Sequence, residues 1–353
     1  MKILSIGSDK TVFQEDSPVR RRIIEYGALV EEMHVIVFSL RPSVVRQNFG
    51  NVFIYPTNSR SRWFYICDAI KIGREIMATK GQWLITARDP FETGLVGYWL
   101  KRKYNLPFHL QIHTDFLNPY FKKESFLNKV RVLLAKFLIP RADHIRAVSE
   151  RIKNSLVLNL KIQGSKITIL PVFVDIEKIK QVSLKTDLHQ KYPQFDFIIL
   201  MGSRFTKEKN IGLAIEVMTE IVKKFPKTGL IIVGSGPEKE NLKINKNVII
   251  EDWTDDLSSY YKTADLFLLT SNYEGYGMTI IEATAAGCVV VSSDVGVADE
   301  ILDKENIFPA GDRKELENKL EKAIKKELKL SQKLVAKTKE EYLKEYKNIL
   351  NYV

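Results

Sequence analysis

Short apolar runs alternate with longer amphipathic segments along most of the chain. This alternation is typical of parallel β-strands whose faces are covered by α-helices. Ser17 followed by Pro18 predicts the start of a helix that continues to about Glu32, because serine caps helices and proline is tolerated in the first turn. Two further helices are predicted at about 63–79 and 92–104. The predicted strands of this half are KILSIG, HVIVFSL, NVFIYP, QWLITA, FHLQIH, HIRAVS and KITILP.

The alternation restarts after a polar stretch at about 172–195 that has no clear hydrophobic period. Helices are predicted at about 210–224, 256–263 and 277–286, and the residues after about 313, rich in Lys, Glu and Leu, indicate more helices. The predicted strands of this half are FDFIILMGS, TGLIIVGSG, NVIIEDW, ADLFLLTS and CVVVSSD.

The whole pattern predicts an α/β protein made of two doubly wound, Rossmann-like domains. With 353 residues, of which 45% are hydrophobic, the chain is long enough for two cores. We place the N-terminal domain at residues 1–175 and the C-terminal domain at 176–335. Residues 336–353 are expected to form a helix that crosses back to the first domain.

The composition indicates the cellular compartment in which we expect the protein. Cys67 and Cys288 both lie in apolar runs, which indicates buried free thiols in a reducing compartment rather than a disulfide. The first apolar run stops at a glycine, too early for a signal-peptide core. No apolar stretch approaches the roughly 18 residues that a transmembrane helix needs. We therefore expect a cytoplasmic protein.

Charge is distributed unevenly between the two halves of the chain, whose formal net charge is +11. Residues 1–175 contain 27 Lys and Arg against 15 Asp and Glu, whereas residues 176–353 contain 27 against 28. The basic excess therefore belongs to the first half. Such an asymmetry indicates an anionic partner there, which is a nucleic acid, a membrane surface or an acidic substrate.

Candidate chemistry follows the predicted strands of the second half, because open parallel sheets bind ligands beyond the carboxyl ends of their strands. With two such domains, the crevice between them is the expected site. Arg204 and Lys209 lie between a strand and the next helix, where cations and helix amides together suit a diphosphate. An exposed loop without a ligand is an equal alternative for this pair of residues.

Two glutamates, Glu274 and Glu282, stand eight positions apart around a glycine-rich helix start. Eight helical residues span about 12 Å, and carboxylates accept hydrogen bonds from pairs of hydroxyls. The helix is predicted to begin near Met278, which leaves the amides of residues 277–279 unpaired. Alternatively, both glutamates only favour the positive end of a helix. The apolar neighbours of Glu282 weaken that alternative because they indicate partial burial.

Other strand ends are less specific. The turn Gly234-Ser235-Gly236-Pro237 either contacts a ligand or only connects two elements. Trp253 either flanks a nucleotide base or packs in the core. No D-x-D sequence, the usual site for a metal ion that bridges a diphosphate, occurs in the chain.

Taken in order, these features resemble the second domain of the retaining family 4 glycosyltransferases, including their motif of two glutamates separated by seven residues. The similarity is strong over residues 197–302 and moderate over 82–175, where QIHTD, AVSE and LPVFVD are similar to landmarks of the first domain. The motifs that carry it are Gly202-Ser203-Arg204, Lys209-Asn210, Gly234-Ser235-Gly236-Pro237-Glu238, Glu274-Gly275-Tyr276-Gly277-Met278, Glu282, Gly287, Gly296 and Glu300.

The resemblance implies a GT-B fold, in which two Rossmann-like domains face each other across a cleft and the second domain holds a UDP- or GDP-sugar. It implies that Arg204 and Lys209 bind the diphosphate, that Glu282 accepts the ribose hydroxyls, and that Glu274 holds the donor sugar. The implied donor site as a whole consists of Gly202, Ser203, Arg204, Lys209, Asn210, Gly236, Trp253, Thr254, Glu274, Gly275, Tyr276, Gly277, Met278, Thr279 and Glu282.

The implied catalytic residues are His113, Glu274, Arg204 and Lys209, with His113 of the first domain facing the reacting sugar. The two cations replace a metal ion by neutralising the leaving phosphate. No cofactor is expected to be tightly bound. The implied substitution is on the same face of the sugar, with retention of configuration. Gly7-Ser8 stands where the family often has a Gly-Gly loop, a departure that affects the acceptor side.

The expected acceptor is a hydroxyl of a glycan, a lipid-linked glycan or a lipid. Residues 119–138 resemble a basic amphipathic helix at an anionic membrane surface, with an ordinary surface helix as the alternative. This favours the hypothesis of a peripheral protein at the inner face of the cell membrane. Nucleic acid is not expected, because aromatic residues do not interleave with the basic ones on any predicted strand face. The basic residues of this stretch are Lys122, Lys123, Lys129, Arg131 and Lys136.

Two other classes of function compete with sugar transfer. One is a nucleotide-sugar epimerase or a phosphorylase on the same two-domain fold, although no lysine is evident for the pyridoxal phosphate of a phosphorylase. The other is a non-catalytic subunit that binds a nucleotide sugar. The intact set of Glu274, Glu282, Arg204 and Lys209 argues against a degenerate site.

Overall fold

The computed structural model describes residues 1–42, 44–331 and 333–352, and it divides into two compact units. The first unit contains residues 1–117, 125–171 and 340–352, and the second contains residues 118–124 and 172–339. Both units are built on mainly parallel sheets with helices, so the predicted α/β class is confirmed.

Among the described residues, an eight-stranded sheet forms the centre of the first unit, in the order β3-β4-β2-β1-β5-β6-β7-β8. All neighbouring strands are parallel except β3, which is antiparallel to β4. The central strands are buried along almost their whole length because helices cover the sheet. Strands β1 to β8 are Lys2–Gly7, Glu32–Val37, Gln47–Phe49, Val52–Pro56, Trp83–Ala87, Phe108–Ile112, His144–Ala147 and Ile167–Ile169.

The first helix begins as the sequence predicts but is shorter. The Ser17 hydroxyl accepts a hydrogen bond from the Arg20 amide at 3.1 Å, and Pro18 occupies the first turn. The helix ends at Gly27 rather than near Glu32, because the Asn51 side chain donates to the Gly27 and Val30 carbonyls, both at 2.9 Å. Helices α1 to α6 are Pro18–Gly27, Tyr65–Ile76, Glu92–Tyr104, Pro119–Glu124, Phe126–Leu138 and Glu150–Leu160.

The stretch 119–138 is not the single helix that the sequence predicts. Ser125 is extended and caps α5 through a hydrogen bond from the Asn128 amide at 3.1 Å, so the chain breaks between α4 and α5. Helix α4 packs with the second unit, whereas α5 packs with the first. None of the described helices combines the length and hydrophobicity of a membrane span.

A six-stranded parallel sheet lies at the centre of the second unit as described, in the order β11-β10-β9-β12-β13-β14. Apolar clusters fill both faces of this sheet. Strands β9 to β14 are Phe197–Gly202, Thr228–Val233, Val248–Glu251, Leu266–Leu269, Val289–Ser293 and Ile307–Phe308. Helices α7 to α14 are Ile176–Gln181, Leu188–Lys191, Ile211–Lys224, Leu257–Thr263, Met278–Ala285, Ala298–Ile301, Arg313–Ile324 and Lys339–Asn351.

The C-terminal helix α14 packs within the first unit through two buried tyrosines. The Tyr346 ring stacks on Tyr26 with their centroids 4.0 Å apart. The Tyr342 hydroxyl lies 3.1 Å from that of Tyr26 and accepts a hydrogen bond from Arg146 at 2.9 Å.

Both cysteines are free, as the sequence indicates. Cys288 is buried, and burial raises the pKa of its thiol to about 12. The expectation that Cys67 is buried is wrong, since it lies exposed on α2.

Candidate active site

Two strand-end loops of the second unit are joined by backbone hydrogen bonds. The Phe205 amide donates to the Ser235 carbonyl at 2.8 Å, and the Glu238 amide donates to the Phe205 carbonyl at 3.0 Å. Gly236 has a φ of 152°, and a Cβ there would lie 2.5 Å from the Phe205 carbonyl oxygen. The glycine-rich turn at 234–237 is therefore required for the close approach of the loop that carries Ser203 and Arg204.

The two candidate phosphate cations have different surroundings. The Arg204 side chain is 78% exposed and lies 3.6 Å from Glu208, a separation that makes a weak ion pair. The Lys209 side chain is only 14% exposed and forms an ion pair with Glu274. Asn210 adopts a left-handed conformation at the start of α9, and its side chain donates to Asn272 at 3.2 Å.

The Glu274 carboxylate is held from one side only. Its Oε1 atom accepts hydrogen bonds from Lys209 and, at 2.8 Å, from the Ser271 hydroxyl. Its Oε2 atom has no hydrogen-bond partner within the part of the chain that the structure describes. The carboxylate is therefore fixed in position and keeps one oxygen for a ligand.

The helix that follows Glu274 begins without a capping side chain. Gly277, with a φ of 90°, precedes α11, and no side chain accepts from the first amides. The amides of Met278 and Thr279 have no hydrogen-bond acceptor among the described residues. Unpaired amides at a helix start attract anions and ligand oxygens. The predicted helix start near Met278 is thus observed.

A second glycine, Gly296, lets the turn after β13 pack closely against the loop at residues 274–277. Gly296 has a φ of 54°, and a Cβ there would lie 2.3 Å from the Tyr276 carbonyl oxygen. The Val297 amide donates to that carbonyl at 2.9 Å. The loop from Glu274 through Gly275 to Gly277 is therefore packed against the turn that follows β13.

Glu282 lies one turn into α11 and is partly buried. Its Oε2 atom accepts a hydrogen bond from the buried Tyr261 hydroxyl at 3.2 Å. Burial raises the pKa of the Glu282 carboxyl, and the hydrogen bond from Tyr261 partly opposes that rise. Partial burial inside the helix, rather than a place at its exposed first turn, favours a ligand contact over simple helix capping.

Trp253 and Thr254 lie in the turn between β11 and α10. Trp253 is 57% exposed, so the alternative that it packs in the core is wrong. The Thr254 hydroxyl accepts a hydrogen bond from the Asp256 amide at 3.1 Å. An exposed indole beside an ordered turn is free to stack on a planar ligand.

His113 follows β6 in the first unit, and its orientation is set by Gln111. The His113 Nε2 atom lies 3.2 Å from the Gln111 Oε1 atom. Arg146 donates to the same oxygen at 3.2 Å, and the Gln111 amide nitrogen donates to Thr86 at 3.1 Å. Because the oxygen end of Gln111 faces the imidazole, His113 donates from Nε2 and keeps Nδ1 as an acceptor.

The charge state of His113 follows from the same surroundings. Although part of its surface is accessible to solvent, the dense protein around it lowers its pKa well below the ordinary value, and Arg146 and Arg88 add to that effect. His113 is therefore neutral at physiological pH. Gly7, at the end of β1, packs beside Arg88, whose Cδ atom would lie 3.2 Å from a Cβ at this position, and Ser8 follows it as an exposed residue.

Several supporting residues escape prediction from sequence. Ser271 precedes Glu274 by three positions, a local signal that a search for side-chain hydrogen bonds would find. Gln111 precedes His113 by only two positions, near the end of β6, which is also a local signal. Tyr261 and Arg146 reach their partners from other helices or strands, and no spacing in the sequence marks them. Within the described residues, no group of three or more His, Cys, Asp or Glu is placed to hold a metal ion.

Comparison with known proteins identifies the class to which this fold and site belong. Residues 185–341 match the profile of the family described as Glycosyl transferases group 1, and residues 27–178 match that of Glycosyltransferase Family 4. The two matches cover most of the chain. The protein is therefore a member of the family 4, or group 1, glycosyltransferases, and the resemblance seen in its motifs is confirmed.

Named relatives and solved structures support the same assignment. The alpha-monoglucosyldiacylglycerol synthase of Streptococcus pneumoniae is 28% identical over 229 residues, which are 59% of this chain and 51% of that protein. The chain thus spans between about half and less than two thirds of the first curated relatives it matches.

Among solved structures, sucrose-phosphate synthase from Thermosynechococcus elongatus has a TM-score of 0.77 at 17% identity, with 99% of this chain and 94% of that one covered. Anabaena HepE, solved in complex with UDP and glucose, has a TM-score of 0.69 at 18% identity, with 99% and 95% covered. These similarities confirm the GT-B fold.

Proposed function

We propose that the protein transfers a hexose from a UDP- or GDP-sugar to a hydroxyl of a lipid or glycan acceptor, with retention of configuration and without a metal ion. The observation that carries this proposal is the Glu274 carboxylate, fixed at Oε1 by Lys209 and Ser271 and open at Oε2. A fixed carboxylate with one open oxygen accepts hydrogen bonds from sugar hydroxyls. The unpaired amides of Met278 and Thr279, in the same stretch, suit a phosphate oxygen.

The diphosphate is proposed to bind Arg204 and Lys209. The exposed Arg204 guanidinium has only a weak partner to give up, and Lys209 already lies at the Glu274 carboxylate. In the proposed step, the bond from the sugar C1 to the phosphate oxygen breaks, and the acceptor oxygen bonds to C1 on the same face. The acceptor proton passes to the leaving phosphate. The two cations stabilise the negative charge that develops on that phosphate.

The nucleoside is proposed to bind through Glu282 and Trp253. The open oxygen of Glu282 suits the ribose hydroxyls, and the exposed indole of Trp253 suits a base. Support comes from Anabaena HepE, a structural neighbour solved with UDP and glucose. In the first unit, His113 is proposed to accept a hydrogen bond from a hydroxyl of the transferred sugar at its Nδ1 atom, because Nε2 already donates to Gln111.

A lipid acceptor is favoured by the pneumococcal relative, whose name describes the synthesis of an alpha-glucosyl diacylglycerol. An α-linked product made from an α-linked sugar nucleotide retains the configuration at C1. Both points extend to this chain as proposals.

The experiment that tests the proposal combines binding and transfer. The purified protein is screened by thermal shift with UDP-, GDP- and ADP-sugars and is then assayed with diacylglycerol in detergent, with the product and its anomeric configuration determined by NMR. Glu282→Ala and Arg204→Ala are each expected to lower transfer by roughly 100-fold or more. Glu220→Ala and Lys223→Ala, on the exposed face of α9, serve as matched controls.

The outcomes separate the competing functions. Transfer at the wild-type rate in either site variant would contradict the assignment. Conversion of the donor to its epimer without an acceptor would favour an epimerase. Binding of a sugar nucleotide without transfer to diacylglycerol or to a polyprenyl-diphosphate sugar would favour a non-catalytic subunit.

Peripheral association with an anionic membrane is proposed to occur through α5. The inward stripe of this helix, Val132, Ala135 and Leu138, is buried. The opposite stripe is also apolar but exposed, with Phe126 78% and Leu133 66% accessible. Residues spaced by three and four positions lie on one helix face, so a continuous apolar surface is presented to solvent. Its members are Phe126, Val130, Leu133 and Phe137, with Leu127 beside them.

The charges on this helix favour anionic lipid as the partner. Lys129 and Lys136 are exposed next to the apolar stripe. Arg131 is instead paired with Glu92 at 2.9 Å, and Lys122 and Lys123 belong to the second unit. The proposed membrane-binding surface of the protein therefore carries fewer free positive charges, and more exposed apolar area, than the sequence indicates. Apolar side chains flanked by lysines are typical of helices that lie in the plane of a membrane interface.

Vesicle sedimentation tests this association. Wild-type protein is expected to bind vesicles of phosphatidylglycerol and phosphatidylcholine, and to bind pure phosphatidylcholine less. The double variant Phe126→Ser, Leu133→Ser is expected to reduce binding about tenfold or more, since two large apolar side chains are lost from the contact. Leu158→Ser, a change at an equally exposed leucine on α6, is the matched control. Equal sedimentation of both variants would contradict the role of α5.

A further inference from the structure

One short segment of the first half of the chain forms part of the second unit. Residues 118–124, which include α4, group with the second unit, whereas the residues on both sides of them belong to the first. The segment begins five residues after His113. Its role in the second unit is to contact the stretch that leads into Glu274.

The contact is made through Tyr273, the residue directly before Glu274. Tyr273 is 9% exposed, and its ring meets the ring of Phe121 edge-on, with centroids 5.6 Å apart and planes at 81°. Phe121 is itself buried. Edge-to-face packing is a preferred geometry of aromatic pairs, and it stabilises the contact beyond the burial of apolar area alone.

A hydrogen bond to a carboxylate completes the contact. The Tyr273 hydroxyl donates to the Glu124 Oε2 atom at 2.7 Å. Burial raises the pKa of the Tyr273 hydroxyl well above its ordinary value, and the Glu124 carboxylate raises it further. The hydroxyl therefore stays protonated and donates throughout the physiological range. Hydrogen bonds of this charged kind are about twice as strong as neutral ones.

Other contacts anchor the loop on its remaining sides. The Ser293 hydroxyl donates to the Ser271 carbonyl at 2.6 Å, and the Asn272 amide donates to the Glu208 carbonyl at 2.7 Å. These contacts hold the residues before Tyr273, while Glu274 itself is held by its side-chain bonds to Lys209 and Ser271. Tyr273 lies in the chain between the anchored residues 271–272 and Glu274. Its own side chain is held by Phe121 and Glu124 of α4.

We propose that Glu124 and Phe121 are positioning residues for the sugar-binding carboxylate of Glu274, acting through Tyr273. The proposal rests on the proposed function, because it assigns Glu274 to the donor sugar. It also means that residues 118–124, which follow His113 in the chain, are held to residues 271–277, the donor loop, through Tyr273. Residues 118–124 then form a strap whose position and the position of Glu274 depend on each other.

The strap predicts a specific kinetic pattern. Tyr273→Phe removes the hydroxyl and keeps the ring, so the fold is retained while Glu274 becomes less well positioned. The variant is expected to lower kcat/KM for the nucleotide sugar about tenfold, the effect of losing a hydrogen bond to a charged group. Binding of free UDP or GDP is expected to stay unchanged, because Glu274 is assigned to the sugar and not to the nucleotide.

A double-mutant cycle with Glu124→Ala tests whether the two residues act together. The double variant is expected to be no worse than the more impaired single variant. Lys123→Ala, an exposed change on the same helix, is the matched control and is expected to behave as wild type. The melting temperature is measured for every variant.

Each result decides one of the two proposals. If the wild type binds no nucleotide and transfers no sugar, the proposed function fails. If the wild type is active and the losses in the two single variants simply add, or if sugar nucleotide and free nucleotide are weakened equally, the strap is overturned. A lower melting temperature without a change in kcat/KM would likewise show that the contact between Tyr273 and Glu124 only stabilises the fold.

Discussion

At the scale of single residues, the surroundings of Glu282 set the conditions for the ribose binding that we propose for it. Its carboxyl is partly buried, and burial raises its pKa despite the hydrogen bond from Tyr261. A ribose hydroxyl donates to the ionised form of the carboxylate. Since a raised pKa means protonation at a higher pH, nucleotide affinity is expected to fall at a higher pH than it does for an exposed glutamate.

The first prediction concerns this pH dependence. Nucleotide affinity, measured by calorimetry as pH is lowered from about 7 to about 5, is expected to decrease as Glu282 takes up a proton. Tyr261→Phe removes the hydrogen bond that favours the ionised form, so the decrease is expected to begin at a higher pH, with affinity at neutral pH several-fold lower. Tyr192→Phe, which alters a tyrosine paired with Glu251, is the control. Identical profiles for Tyr261→Phe and wild type would contradict this role.

His113 is a second residue whose protonation state and hydrogen bonding are set by its neighbours. Its pKa is depressed by the surrounding protein and by nearby arginines, and Gln111 accepts from its Nε2 atom. The neutral ring therefore presents Nδ1 as a hydrogen-bond acceptor. A depressed pKa also means that His113 takes up a proton at a lower pH than an ordinary histidine does.

The second prediction tests that neutral state. Gln111→Glu places a carboxylate against the imidazole, which favours the imidazolium and raises the pKa of His113. Sugar transfer by this variant is expected to fall as pH drops through the raised pKa, whereas the wild-type rate shows no such fall from His113. The pH–rate profile and an NMR titration of the His113 ring provide the measurement. Gln190→Glu, at an exposed position of α8, is the control.

At the scale of elements, the buried strands were predictable because they are continuous apolar runs bounded by glycine or polar residues. Strands β1, β9 and β10 coincide closely with such runs. Strand β3, Gln47–Phe49, was missed because it is short, partly exposed and polar in sequence. Strand β14 has two residues, too few for any period to appear. The break at Ser125 was missed because the apolar and basic pattern continues across it.

The candidate site shows the same division between local and long-range information. Glu274, Glu282 and Lys209 were predicted because they lie in ordered motifs at strand ends. Their partners were not, since Tyr261 belongs to α10 and Glu124 lies 149 positions before Tyr273. Pairs separated in this way are brought together by the sheet topology, which a single sequence does not specify.

The third prediction concerns the turn that supports the donor loop. Gly296→Ala forces a side chain into a left-handed conformation and brings its Cβ to 2.3 Å from the Tyr276 carbonyl oxygen. The conformation alone costs about 1–2 kcal/mol, and the clash displaces the loop. Lower thermal stability and a large loss of sugar transfer are expected. Gly212→Ala, in α9 with open space around it, is expected to leave stability unchanged or slightly higher.

At the scale of the whole molecule, the chain leaves and re-enters its two units more than once. The first unit is completed by α14, after the second unit has been built. Arg146 connects this helix to the candidate site of the first unit, because it donates both to Tyr342 and to Gln111, the residue that orients His113. Packing of the last helix and orientation of His113 are therefore linked through one guanidinium.

The fourth prediction tests that link with Tyr346→Ala. Loss of a buried aromatic ring that stacks on Tyr26 is expected to destabilise the first unit by about 3 kcal/mol or more. Calorimetry should show a lower melting temperature for the first unit, while UDP or GDP should still raise the melting temperature of the second unit. Transfer should fall more than nucleotide binding, because Arg146 and Gln111 lose part of their support. Lys347→Ala, on the exposed face of α14, is the control, and equal loss of nucleotide binding and transfer in Tyr346→Ala would contradict the link.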